Sequence, residues 1–74
     1  MSTTVDARGL SCPQPVLMTM DEMERVHKGE IVILVDTDTS KENVSRSAES
    51  RGWSVKNVQE EASGYKLIIE RNEP

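Results

Sequence analysis

One side chain in this 74-residue chain is an obvious nucleophile. It is Cys12, the single cysteine, set in Gly9-Leu10-Ser11-Cys12-Pro13-Gln14-Pro15-Val16. A pattern of helical period begins directly after it, so the spacing predicts Cys12 as the N-cap and Pro13 as the first helical residue. Proline suits that position, because its φ is already helical and its missing N–H would have no intrahelical partner. Pro15 stays within the first turn, and Leu10 is expected to pack on Val16 and fix the entry angle. The positive end of a helix dipole favours thiolate over thiol, and thiolate is the reactive form. Activation is expected to be modest. Pro15 has no N–H to offer the sulfur, which leaves Gln14 N–H with Val16 N–H behind it. The nearest cation in sequence is Arg8. A lone cysteine can also be an inert core residue. A proline-braced corner after Gly9 is hard to bury, which favours an exposed thiol.

Other chemistry finds less support. Disulfide exchange of the Cys-x-x-Cys type needs a second thiol, and position 15 is Pro. His27 would lie about four turns away at the far end of the helix, roughly 20 Å by helical rise, which suits a C-terminal helix residue better than a base. Asp6, Asp36 and Asp38 lack the spacing of a calcium loop and read as turn and cap residues. One Cys and one His leave little for zinc, so neither metal nor cofactor is expected. Lys41, Arg46 and Arg51 read as a solvated face of a second helix; the sharper reading is a docking strip for an acidic partner.

The elements that must hold Cys12 follow from periodicity. Thr3 to Asp6 is a short first strand, with Arg8 and Gly9 turning out of it. Val16, Leu17, Met20, Met23 and Val26 or His27 trace the apolar face of a first helix. Met18 is expected to be partly exposed. Gly29 is the expected left-handed residue after that helix. Ile31-Val32-Ile33-Leu34-Val35 has the composition of a central strand with apolar groups on both faces. Thr39 and Glu42 fit a capping box, so a second helix is expected near Ser40, with Val44 and Ala48 inward and Gly52 ending it. Trp53, Val55 and Val58 mark a third strand whose broken alternation predicts a bulge. Glu60 to Gly64 reads as a hairpin loop before a fourth strand of Tyr65, Leu67 and Ile69. Asn72-Glu73-Pro74 reads as a tail.

The order β-α-β-α-β-β gives a right-handed parallel crossover followed by an antiparallel hairpin. That is an α/β two-layer sandwich, a four-stranded mixed sheet with two helices on one face, in a single domain over residues 1–74. Cys12 then lies at the C-terminal end of strand one, where α/β folds place their sites. With 35% hydrophobic residues and no Phe, the core is small and aliphatic. Nine Lys and Arg against 13 Asp and Glu give a net charge of −4, which disfavours nucleic acid or an anionic membrane as partner. No apolar run approaches the ~20 residues of a membrane span, and the N-terminus lacks a signal-peptide pattern, so a reducing cytoplasm is expected.

Val5-Asp6-Ala7-Arg8-Gly9-Leu10-Ser11-Cys12-Pro13-Gln14-Pro15-Val16-Leu17 resembles the opening of the TusA/SirA-like sulfur-carrier family, whose mark is Cys-Pro-x-Pro after Asp-x-x-Gly-Leu. Glu42 to Trp53 is most similar to the YedF branch. The resemblance runs the length of the chain and implies a strand order of 1-2-4-3. It implies a small carrier that takes sulfur as a persulfide on Cys12, with Gly9 and Leu10 shaping the approach and Pro13 and Pro15 holding the tip. It also implies a protein donor, a cysteine desulfurase or a rhodanese-like protein, and a protein acceptor, with the carrier a monomer. Sulfur-relay members often carry several Lys or Arg on the first helix. Here that helix has Asp21, Glu22 and Glu24, with Arg25 and Lys28 only late, so partner identity does not carry over. The rival reading is a non-catalytic binding or regulatory module in which Cys12 is dispensable.

Overall fold

Ile31, Ile33 and Val35 are completely buried, whereas the alternating Val32 and Leu34 are half-exposed. A period of two with one sealed face is the mark of a sheet covered by helices on one side. The computed structural model, which describes residues 2–10 and 13–72, shows that arrangement. Its elements are β1 (Ser2–Asp6), α1 (Gln14–Val26), β2 (Gly29–Val35), α2 (Asp38–Ser50), β3 (Ser54–Glu61) and β4 (Gly64–Arg71). The sheet order is β1-β2-β4-β3, as expected. β1 runs parallel to β2, with Val5 opposite Ile33, and β4 runs antiparallel to β2, with Leu67 opposite Ile33. Met23 of α1 and Val44 and Ala48 of α2 join these strand residues in one core with Ala7, Trp53 and Ile69. Among the described residues, no helix is long and apolar enough to cross a membrane.

Several local expectations need correction. α1 buries Pro15, Thr19 and Met23 most deeply, with Val16, Met18, Met20 and Val26 half-buried beside them. Leu17 points outward instead, 47% exposed, because the inward direction of the helix is centred on Thr19. Met18 is partly exposed, as expected, and packs on the edge of the core beside Met20. The left-handed residue ending α1 is His27, at φ 64°, two positions before the expected Gly29, which itself has a positive φ of 103°. Its N–H donates to Met23 O at 2.9 Å, and Lys28 N–H donates to Val26 O at 2.7 Å, so the chain reverses tightly around it.

α2 starts earlier than the expected Ser40. Thr37 is the N-cap, in extended conformation, and its hydroxyl accepts from Ser40 N–H at 3.1 Å. The capping residue is thus two positions before Thr39, and Asp38 takes the first turn, where the dipole favours it. Gly52, at φ 87°, closes the helix as expected. Its N–H donates to Glu49 O and Trp53 N–H to Ala48 O, the two bonds of a Schellman ending. The bulge in β3 falls between Val55 and Asn57. Glu60 and Glu61 belong to β3, and the hairpin loop shrinks to Ala62-Ser63. Gly64 follows it, where a Cβ would collide with Val35 O and lie 2.7 Å from Asp36 Cα. The hairpin tip therefore abuts the C-terminal end of β2. Of the expected tail, Glu73 and Pro74 lie outside the described residues.

Candidate functional site

β1 delivers the chain to the end of the sheet that carries the Gly9–Val16 segment. Ala7 is fully buried, and its N–H donates to Leu34 O at 2.8 Å, extending the parallel ladder one residue past β1. Arg8 and Gly9 then turn outward, with Gly9 at φ 79°. Among the described residues nothing lies within 4 Å of where a Gly9 Cβ would be, so the turn favours glycine for its backbone angle. Leu10 N–H returns to Ala7 O at 3.4 Å.

Two carboxylates fix this turn. Asp6 Oδ1 accepts from Arg8 N–H at 3.2 Å and from Arg8 Nε at 2.9 Å, and Asp6 Oδ2 accepts from the guanidinium at 2.8 Å. The Arg8 side chain, more than its backbone, holds the Asp6 carboxyl down to about 2. Asp36, just past the end of β2, accepts from Gly9 N–H through Oδ2 at 2.7 Å. The loop leading to Cys12 is thus anchored to two parallel strands at once. Cys12 itself, with Ser11, lies outside the described residues.

On the other side of Cys12 the helix begins one residue later than expected. Pro13 is the N-cap, at φ −97° and ψ 14°, and its carbonyl accepts from Leu17 N–H at 3.0 Å. The expected N-cap role of Cys12 and first-turn role of Pro13 are therefore displaced by one. The first accepting carbonyl sets the register, and here it belongs to residue 13. α1 has no side-chain cap. Pro15 becomes the second helical residue and is buried, and its carbonyl accepts from the buried Thr19 hydroxyl at 2.8 Å. Among the described residues the N–H groups of Gln14 and Val16 at the helix start have no acceptor, and Pro15 has no N–H. The expected partners of a staple differ in exposure: Val16 packs against the core, while Leu10 is 38% exposed.

A mostly apolar cleft of about 470 Å³ opens beside Pro13, lined by Val16, Asn43, Arg46, Ser47 and Ser50. At the same end of the sheet, Asp36, Glu60, Glu61 and Tyr65 line a more polar hollow at the hairpin tip. Asp38 is held below its ordinary value, first by the Tyr65 hydroxyl and then by Lys41. Lys41 Nζ also lies 4.7 Å from the Tyr65 ring centre. The expected cationic strip on α2 is therefore largely engaged, since Arg51 also faces Glu24 at 3.4 Å. His27 follows α1 at its other end, 13 helical residues from Pro13, or about 20 Å. Among the described residues no three His, Cys, Asp or Glu side chains gather as metal ligands.

Gly9, Leu10, Pro13 and Pro15 thus flank Cys12 on both sides. The role of Asp36 was missed by sequence reasoning. Its only signal was a carboxylate just past a strand, and pairing it with Gly9 requires the parallel register of Asp6 with Leu34.

Comparisons with known proteins agree with this architecture. A protein from Methanocaldococcus jannaschii named "Putative sulfur carrier protein MJ0990" is 32% identical over 68 residues, covering 90% of this chain and 91% of its own. "Putative sulfur carrier protein YedF" from Escherichia coli K12 is 29% identical over 68 residues, covering 90% of this chain and 88% of its own. The crystal structure of a SirA-like protein from Desulfitobacterium hafniense superposes with a TM-score of 0.87 at 30% identity, covering 96% of this chain and 99% of that one. The family described as "Sulfurtransferase TusA" matches residues 3–71. The chain belongs to the TusA sulfurtransferase family.

Proposed function

We propose that the protein is a persulfide carrier whose reactive group is Cys12. Support comes chiefly from the clamping of the preceding loop by Asp36 and by the Asp6–Arg8 pair, directly before a proline-braced helix start. A relay thiol needs a fixed, accessible sulfur and a surface for partners, and no enclosed pocket. Family membership supports sulfur as the transferred atom.

In the loading step, the Cys12 thiolate attacks the terminal sulfur of a donor persulfide. A new S–S bond forms at Cys12, the donor's S–S bond breaks, and the donor thiolate leaves with the electron pair. The Cys12 persulfide is more acidic than a thiol and stays anionic at neutral pH. In the delivery step, an acceptor thiolate attacks the outer sulfur and the Cys12 thiolate leaves. No external oxidant or reductant is consumed. Gly9 supplies the turn, Leu10 borders the approach, and Pro13 and Pro15 stiffen the tip. Donor and acceptor are proteins, the donor a cysteine desulfurase or a rhodanese-like protein, and the setting is a reducing cytoplasm.

Incubation with a cysteine desulfurase and cysteine, followed by intact-mass analysis, tests this reading. One added sulfur, lost on reduction and absent from Cys12→Ser, is expected. Retention of partner binding by Cys12→Ser without any sulfur uptake by the parent would favour a binding module instead.

A further inference from the structure

The outward face of α1 next to the Cys12 corner is unpartnered and has a definite chemistry. Leu17 is 47% exposed, the most exposed large apolar side chain among the described residues, and Leu10, before Cys12 in sequence, is 38% exposed. Continuing down the helix from Leu17, Asp21 and Glu24 fall at i+4 and i+7 on the same stripe, and both are exposed. No Lys or Arg precedes Arg25 on α1, and Arg25 is engaged with Glu22. Of these two exposed carboxylates, Glu24 has one weak contact, with Arg51 at 3.4 Å.

The surroundings have the same sign. Arg46, the only cation lining the cleft beside Pro13 among the described residues, also borders a groove with Lys41, Glu42 and Glu49 of its own helix. At the end of the sheet, Glu60 and Glu61 join Asp36 around the hairpin hollow, and Arg8 is neutralised by Asp6. An approaching protein therefore meets two exposed apolar side chains, Leu10 and Leu17, that flank Cys12 in sequence, with the carboxylates of Asp21 and Glu24 along the helix below Leu17.

We propose that the α1 face of Leu17, Asp21 and Glu24, with Leu10, is the docking surface for sulfur-exchange partners, and that the partner brings basic side chains around its own reactive cysteine. This rests on the carrier reading and adds to it the kind of partner. Apolar contact at Leu10 and Leu17 gives affinity close to the exchanging sulfur, and the carboxylates orient the partner and speed encounter. An acidic partner on Lys41, Arg46 and Arg51 is disfavoured, because Lys41 is paired with Asp38 and Arg46 shares its groove with Glu42 and Glu49.

Two synthetic acceptor peptides of equal length test it, each with one cysteine next to a leucine, one flanked by lysines and the other by glutamates. The protein is first loaded on Cys12 from polysulfide and checked by intact mass. Delivery to the lysine peptide is expected to be at least about tenfold faster at low ionic strength, with the gap closing in high salt. Asp21→Lys with Glu24→Lys should remove or reverse the preference, and Leu17→Asn should slow delivery to both peptides several-fold while keeping the charge preference. These side chains are exposed, so an unchanged circular dichroism spectrum is expected and checks folding of each variant. A loaded protein that shows no charge preference, or prefers the glutamate peptide, overturns the docking proposal and leaves the carrier reading standing. A parent protein that takes up no sulfur overturns both.

Discussion

Asp36 and Gly9 are joined by a 2.7 Å hydrogen bond from the Gly9 amide to the Asp36 carboxylate, across 27 positions of sequence. The bond ties the end of the central strand to the turn that leads to Cys12. Asp36→Ala removes the acceptor, and Asp36→Asn keeps a neutral one. Both groups are exposed, so the loss in stability for Ala is expected to be about 1 kcal/mol, or roughly 5 °C in Tm. Delivery of sulfur should fall more than that change in stability explains, with Asn between the parent and Ala. Amide exchange at Gly9 gives the direct check, and unchanged protection in Asp36→Ala would show that the carboxylate does not hold the turn.

The Asp6–Arg8 pair carries a pH dependence of known sign. The folded pKa of Asp6, about 2, lies below its ordinary 3.8, so ionisation of this carboxyl favours the folded turn. The contribution is complete above 3.8 and is lost as pH falls through about 2. Arg8→Leu should return the Asp6 midpoint towards 3.8, because the guanidinium is the largest cause of the shift. Carboxyl chemical shifts followed against pH measure both midpoints. Equal midpoints in parent and variant would contradict the pairing.

His27 sits at φ 64°, where a residue with a Cβ is strained. That strain costs about 1–2 kcal/mol, and glycine's greater freedom when unfolded takes back part of any relief. His27→Gly is therefore expected to stabilise the protein by about 0.5 kcal/mol, raising Tm by roughly 2–4 °C. It should leave sulfur uptake unchanged, since His27 lies at the opposite end of α1 from Pro13. Loss of sulfur uptake with an unaltered fold would restore His27 as a functional group.

The Cys12 thiol should titrate below the free value of ~8.5, but not as low as the thiol of a Cys–His pair. Cys12 precedes the N-cap Pro13, and Pro15 offers no N–H, so the helix start acts on it weakly. The carboxylates of Asp36, Glu60 and Glu61 at the same end of the sheet oppose further lowering. Alkylation rate against pH locates the value, and a pKa above ~8.5 would mean that burial or negative charge outweighs the dipole.

Much of the fold was legible because it follows from side-chain period. The alternation in β4, the apolar run of β2, Gly52 as a helix stop and the broken step from Val55 to Val58 each have a local physical cause. Helix starts were less legible. Cys12 or Pro13, and Thr37 or Thr39, are plausible caps one or two residues apart, and the choice depends on which carbonyl or hydroxyl meets a free N–H in three dimensions. Leu17 was misplaced because an apolar residue on the edge of a stripe can point either way, and Thr19, which takes the centre, is polar. Its hydroxyl is satisfied by Pro15 O, which makes its burial possible. The clamp of Asp36 on Gly9 was invisible because it is made by strand register and by no local pattern.

The central claim is that Cys12 accepts and gives up a single sulfur. Intact-mass analysis of the full chain, after incubation with a cysteine desulfurase and cysteine and again after addition of a thiol acceptor, reads it most directly. The account predicts one sulfur gained on the parent chain, none on Cys12→Ser with the fold unchanged, and the parent mass restored when the acceptor is added. An unmodified parent, or an equal gain on Cys12→Ser, would contradict it.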